Sequence, residues 1–275
     1  MQIKRLLTAA VLVPVFYLYI TKLPGIWFDG LAAAMGMLAL WEFLHFYGVR
    51  GVMKLVGMGL GLFFLAAAAL SGPGLSVPFL RSFFFLPPGI YPFLLLAAVT
   101  IRLFKTGPSF AMKDISPVML ALLYIPGLIV YQMFLRDFFG THWVIFLYGT
   151  VWIGDSAALY AGRSLGKRKL YPEVSPNKTV AGAIGSVIGG SAAGFAASLV
   201  FKLGISSGTA SLLGLLMGTT AIAGDLVESM FKRDAGVKDS GSFLPGHGGM
   251  LDKLDGPLFS APILYWGLLL LGVKL

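Results

Sequence analysis

Residues 229–255 read SMFKRDAGVKDSGSFLPGHGGMLDKLD. The stretch is polar, yet an apolar run lies on either side of it, at 206–228 and at 257–273. Runs of roughly 17–25 apolar residues are long enough to cross a bilayer as helices. A polar segment strung between two such runs is expected at the membrane surface, because lipid offers no partner for its backbone or its charges. It sets Lys232, Arg233, Lys238 and Lys253 beside Asp234, Asp239, Asp252 and Asp255. The run Pro245-Gly246-His247-Gly248-Gly249 has the composition of a turn around one histidine. Cations, carboxylates and a glycine loop together are the chemistry of a metal-bound phosphate.

The rest of the chain supports a membrane setting. Hydrophobic residues make up 57% of it and charged residues 12%, against about 25% charged in a soluble domain. Nine apolar spans can be drawn, at roughly 6–21, 26–46, 53–71, 87–103, 116–135, 142–161, 181–201, 206–228 and 257–273. The fold expected is an all-α, polytopic membrane helix bundle of about nine transmembrane helices. The basic start resembles a signal peptide but lacks a small-residue cleavage site, so it reads as a retained first span. Leu75 to Phe85 is apolar but broken by Pro78 and followed by Pro87 and Pro88, which suits a re-entrant or interfacial piece. With no cysteine in the sequence, disulfides, thiolate metal sites and cysteine nucleophiles are excluded.

The net charge of +9 would suggest nucleic acid in a soluble domain. Here the basic residues fall in short loops, so membrane orientation and anionic lipid explain them better. With the N-terminus inside, Lys4, Arg5, Arg50, Lys54, Arg102, Lys105, Lys113, the cations of 163–178 and those of 232–253 share one side. Only Lys22, Arg81, Arg136, Lys202 and Lys274 lie on the other. This places both polar loops, 162–180 and 229–256, on the cytoplasmic side. Residues 1–140 read as a scaffold of spans, and 141–275 as the catalytic half. In the span 181–201, Gly182, Ser186, Gly190 and Gly194 recur every four residues, as do Gly185, Gly189, Ala193 and Ala197. Two stripes of small residues let neighbouring backbones approach closely, inside the bundle or at a subunit contact.

Asp225, Glu228, Ser229 and Lys232 are spaced to share one helix face. Their helix has N-cap candidates in Ser206 and Ser207 and a stop at Gly236. Asp252 and Asp255 are three apart and can face one hard cation. Magnesium takes one or two carboxylates plus substrate phosphates, so Asp225 with Asp252 would suffice. Against that, Asp255 directly precedes the last span and could be an ordinary N-cap. His247 sits in a loop whose glycines let amides approach a phosphate, although a lone loop histidine is as often structural. Upstream, Arg163, Lys167, Arg168, Lys169 and then Ser175, Asn177, Lys178 and Thr179 can clamp a polyphosphate. A basic patch against lipid would look similar. Asp155 is equally a cation ligand or a span-end polar contact. Glu42 and His45 form only an i, i+3 pair, which is too little for a metal site.

The order Ser229, Lys232-Arg233, Lys238-Asp239, Gly241, Leu244-Pro245, His247-Gly248-Gly249, Asp252, Lys253, Leu254, Asp255 resembles the signature of the phosphatidate cytidylyltransferase (CDP-diacylglycerol synthase) family. Lys253 stands where that family usually has arginine, which keeps the charge but not the bidentate fork. The upstream Ser175-Pro176-Asn177-Lys178-Thr179 is similar to a second family element, with Asn177 at an often basic position and Ala181 where glutamate is frequent. The resemblance covers about the last 120 residues. It implies an integral membrane enzyme that converts CTP and phosphatidate to CDP-diacylglycerol and pyrophosphate. It also implies magnesium dependence, with room for a second cation, and a homodimer in the cell (inner) membrane.

On this reading Asp225, Lys232, Arg233, Lys238, Asp239 and Asp252 form the catalytic group. Arg163, Lys167, Ser175, Asn177, Lys178, Thr179, Ser229, His247, Gly248, Gly249 and Lys253 bind substrate, and Asp225, Asp252 and Asp255 hold metal. The rival of a different class is a multispan transporter of an anionic solute. That would want charges near the midplane and broken helices in related halves, whereas here they gather at one boundary and in one half.

Overall fold

The computed structural model describes residues 14–72, 91–106, 111–241 and 248–273. Helix 14–22 leads into α1 (Gly25–Phe46), α2 (Gly51–Ala69), α3 (Tyr91–Thr106), α4 (Ala111–Tyr124) and α5 (Pro126–Phe134). A π-helical turn, Leu135–Phe139, joins α5 to α6 (Thr141–Leu165). Two short strands follow, β1 (Lys169–Tyr171) and β2 (Ser175–Thr179), then α7 (Val180–Val200), α8 (Ser207–Asp234) and α9 (Leu251–Leu270). Among the described residues six helical units are long and apolar enough to cross a membrane: α1, α2, Ala111–Phe139, α6, α7 and α8. The protein is an all-α membrane bundle, as its apolar runs require. The shorter α3 and the polar-headed α9 complete it. Leu75–Phe85, the first half of the 6–21 span, and Pro245, Gly246 and His247 lie outside the described residues.

The span expected at 116–135 bends at Ile125, where Pro126 opens α5. Proline lacks an N–H and its ring crowds the preceding turn, so the helix is offset there. The polar loop 162–180 contains an antiparallel hairpin in which Lys169 pairs with Thr179 and Tyr171 with Ser175. Thr179 ends β2 and caps α7, its hydroxyl accepting from the Gly182 amide at 3.1 Å.

The small-residue stripes decide the packing of the second half. Gly185 and Gly189 lie against Ala157 of α6, while Gly190 and Gly194 lie against Gly214 and Ala210 of α8. A methyl at Gly190 would stand 2.5 Å from the Gly214 carbonyl oxygen. Helix α7 is therefore sandwiched between α6 and α8 with backbones nearly touching, the arrangement that small side chains permit in lipid. Ser186 donates across to the Gly218 carbonyl at 3.2 Å. Gly224 admits α9 in the same way, its α-carbon facing the backbone of Asp255. Residues of both halves share one apolar core, from Phe28, Leu40 and Phe43 to Leu254, Leu258 and Leu264.

Candidate functional site

Helix α8 starts at the Ser206 cap, whose hydroxyl accepts from the Thr209 amide at 3.1 Å. It ends at Gly236, where φ is +72°. Between these points the face read from spacing is present: Glu228, Ser229 and Lys232 are buried and Asp225 is half-buried. Because Gly224 has no side chain, α9 comes close enough to bring Asp255 beside Asp225. Asp225, Glu228 and Asp255 each offer a carboxylate oxygen, and these atoms lie within 4.8 Å of one another. Lys178, from the end of β2, pairs with Asp225 at 2.5 Å. Ser229 donates to Asp225 at 3.4 Å.

Asp252 takes a different place from the one its spacing suggested. One oxygen faces Lys232 at 2.5 Å; the other accepts from the Ser240 amide at 3.2 Å, the Ser240 hydroxyl at 3.0 Å and the Gly249 amide at 2.8 Å. Lys232 also reaches Glu228 at 3.2 Å. Asp225 and Asp252 thus belong to one connected array, with Glu228 and Lys232 between them. The three acids that converge are Asp225, Glu228 and Asp255. Asp252 lies in the polar first turn of α9, ahead of the apolar run. Burial alone would raise its carboxyl, but hydrogen bonds from the Glu228 carboxyl first, then from Lys232 and the Gly249 amide, outweigh burial and hold it at about 2.

The last helix starts at Leu251, ahead of the apolar run expected from 257. Asp255 is therefore in the second turn of α9 and is not its N-cap. Its carboxylate accepts from the Gly256 amide at 2.9 Å. Tyr124, clamped by Phe43, Phe231 and Phe259, places its buried hydroxyl in the field of Glu228, Asp255 and Asp225. That hydroxyl has no hydrogen-bond partner among the described residues.

Beside the acids a cavity of about 630 Å³ opens between α6, the hairpin, α7 and α8, within the usual size range of small-molecule sites. Asp155, Arg163, Ser175, Asn177, Lys178, Thr179 and Asp225 supply its polar wall; Leu159, Ala183 and Ile222 supply an apolar one. The hairpin of the first polar loop meets α8 here, joined by the Lys178–Asp225 pair.

Other expected residues stand apart. Arg233 donates to the carbonyls of Val174, at 3.3 Å, and Val237, at 3.2 Å, tying the end of α8 to the hairpin. Lys238, Asp239 and Lys253 are exposed, and Lys167 is exposed just past α6. Gly248, at φ +83°, packs on the Asp252 carboxylate, where a side chain would collide. His247 is outside the described residues.

Sequence reasoning passed over Glu42 and Ser240. Glu42 is 1% exposed and accepts from the Ser240 hydroxyl at 3.0 Å and from the Met250 and Leu251 amides, both at 2.9 Å. A signal existed: an acid inside a 22-residue apolar helix is costly to bury and by default has a task.

Residues 3–271 match the Cytidylyltransferase family. The chain is 35% identical over 272 residues to the phosphatidate cytidylyltransferase of Bacillus subtilis (strain 168), covering 96% of each. It is 47% identical over 128 residues to the phosphatidate cytidylyltransferase of Brucella suis biovar 1, covering 46% of this chain and 47% of that one. It is also 42% identical over 127 residues to the protein of that name from Synechocystis sp., covering 46% of this chain and 43% of the relative.

Proposed function

This chain belongs to the cytidylyltransferase family, and we propose that it transfers the cytidylyl group of CTP to phosphatidate, releasing pyrophosphate and leaving CDP-diacylglycerol in the membrane. The observation that carries the reading is the convergence of Asp225, Glu228 and Asp255, with Asp225 and its partner Lys178 also lining a cavity that has both polar and apolar side chains. Such a cavity suits a reaction between a water-soluble triphosphate and the headgroup of a lipid whose chains stay in the bilayer.

In the reaction an oxygen of the phosphatidate phosphomonoester bonds to the α-phosphorus of CTP. The bond from that phosphorus to the bridging oxygen of the β-phosphate breaks, and its electron pair leaves with pyrophosphate. A phosphomonoester with a second pKa of about 6 is already largely ionised near neutrality, so no strong general base is needed. The barrier is the meeting of two anions, and catalysis is positioning plus charge neutralisation. Lys178 and Arg163 bring positive charge to the cavity, and Ser175, Asn177 and Thr179 offer hydrogen bonds. Lys232 is committed to Glu228 and Asp252, so it holds the acids in register. Arg233 does the same for the hairpin. Transfer is direct, with inversion at a chiral α-phosphorothioate as the stereochemical expectation.

Three carboxylates within 4.8 Å of one another are a hard, all-oxygen donor set, which fits Mg²⁺. Asp225, Glu228 and Asp255 would hold it. A bound divalent ion supplies Lewis-acid polarisation of the phosphate and neutralises the departing pyrophosphate. Asp252 supports the cluster through Lys232 and Glu228. The site faces the cytoplasm of the cell (inner) membrane, as the placement of the basic loops supports, and the enzyme works as a homodimer.

The test uses purified protein, phosphatidate in mixed micelles and labelled CTP. Label is expected in lipid, with loss on removal of divalent cation and in Asp255→Asn. No label in lipid at any cation concentration overturns the proposal. The transporter alternative draws no support, since the matched relatives carry the name of a transferase. Solute flux across liposomes without lipid product would revive it.

A further inference from the structure

Glu42 belongs to the first half of the chain, yet its carboxylate sits where α9 begins. A buried carboxylate is costly unless it is paired or fully hydrogen-bonded, and the ion pairs among the described residues do not include Glu42. Its compensation comes from three donors: the amides of Met250 and Leu251 and the hydroxyl of Ser240. Those two amides open α9, whose N-cap Met250 has no capping side chain of its own. The first amides of a helix lack intrahelical acceptors and carry the positive end of its dipole. Glu42 therefore caps α9 from a helix some two hundred residues earlier in the chain.

The same carboxylate grips both ends of the loop. A methyl at Gly241 would meet Glu42 Oε1 at 2.5 Å, and a methyl at Gly249 would meet Oε2 at 2.5 Å. Only glycine lets the backbone come that near at both points. Ser240 stands between Glu42 and Asp252, 3.0 Å from an oxygen of each, and its single hydrogen serves one at a time. Asp252 is one residue past Leu251, and Asp255 is one turn further. The start of α9 thus decides whether Asp252 meets Lys232 and whether Asp255 meets Asp225 and Glu228.

We propose that Glu42 is a positioning residue of the active site: it caps α9 from across the fold, closes the loop after α8, and thereby aims Asp252 and Asp255. Its kinetic arm rests on the cytidylyltransferase reading above; its structural arm does not. Glu42→Gln keeps the shape but turns an amide donor toward donors, and Glu42→Ala removes every acceptor. Leu40→Ala, a fully buried apolar site two residues away, controls for general loosening.

Backbone hydrogen exchange is measured on purified enzyme without nucleotide or added metal. In both Glu42 variants the amides of 249–253 are expected to exchange about 10- to 100-fold faster, the effect of leaving a buried donor unsatisfied, while those of α7 keep their rates. Leu40→Ala should not single out 249–253. In the transfer assay Glu42→Gln should lower kcat about 100-fold, as a displacement near 1 Å can, with the KM for phosphatidate within about twofold. Exchange at 249–253 no faster than in the parent overturns the proposal. So does a kcat loss that Leu40→Ala reproduces at the same loss of Tm. If the parent enzyme transfers no label, the reaction assignment fails, and the exchange data still decide the role of Glu42.

Discussion

Replacing Lys232 with methionine tests whether the array is held together by charge. The Lys232 ammonium lies 2.5 Å from Asp252 and 3.2 Å from Glu228, and the three side chains are 11%, 13% and 1% exposed. Methionine preserves most of the volume and removes the cation, leaving the buried Asp252 charge and the Glu228 carboxyl without it. An exposed pair would be worth about 0–1 kcal/mol, but truncating one partner of a buried pair costs about 3–5 kcal/mol. Because one ammonium serves two acids, the upper end applies, about 5 kcal/mol. At roughly 2–4 °C per kcal/mol for a chain of this size, Tm should fall by about 10–20 °C. The assay is thermal unfolding in detergent at neutral pH without divalent cation, since an ion bound to the acids would mask the loss. Lys238→Met removes an exposed cation from the following loop and should stay within about 0.5 kcal/mol of the parent. Adding Asp252→Asn to Lys232→Met removes the stranded Asp252 charge and should recover part of the loss. A Lys232→Met protein that melts within about 2 °C of the parent would refute the reasoning.

Gly218→Val should force α7 from α8, because even a methyl would stand 2.5 Å from the Ser186 carbonyl oxygen. The expected cost is about 1–3 kcal/mol or more, read as a lower Tm, and an unchanged Tm would mean that the backbones do not approach so closely. Magnesium at about 100 times its Kd should stabilise the parent by about 2.7 kcal/mol; Asp255→Asn should lose that shift, and retaining it would remove Asp255 from the ion site. Asp252 is held below its ordinary value, at about 2, so its contribution is present above about pH 4 and lost as pH falls toward 2. The stability gap between the parent and Asp252→Asn should hold from pH 8 to 5 and narrow in more acidic solution; a gap that widens below pH 4 would reverse the sign.

Much of the bundle was legible because its rules are local. A run of apolar residues must form a helix in lipid, where the backbone has no other partner, and α1, α2, α6, α7 and α8 fall where those runs lie. Ser206 and Gly236 bound α8 because capping and left-handed stops act within a few residues. The two small stripes of α7 had to face something close, and they face α6 and α8. The face of Asp225, Glu228, Ser229 and Lys232 follows from helical spacing alone.

What spacing could not reach was the relation between distant segments. Spacing favoured Asp252 as the partner of Asp225 and left Asp255 open to an N-cap role. Which one joins Asp225 and which one takes Lys232 depends on the point where α9 starts, and Glu42 supplies the acceptor at that point. Arg233 read as a catalytic cation, and spacing could not show that the hairpin would bring the Val174 carbonyl to it. Periodicity along one helix describes which side chains share a face; it carries no information about the neighbour that the face will meet. The amino-acid sequence determined a membrane bundle with its polar chemistry in two loops. The tertiary structure alone decided how α8 and α9 pair those charges, because a carboxylate in a low-dielectric interior goes to whichever donors the fold delivers.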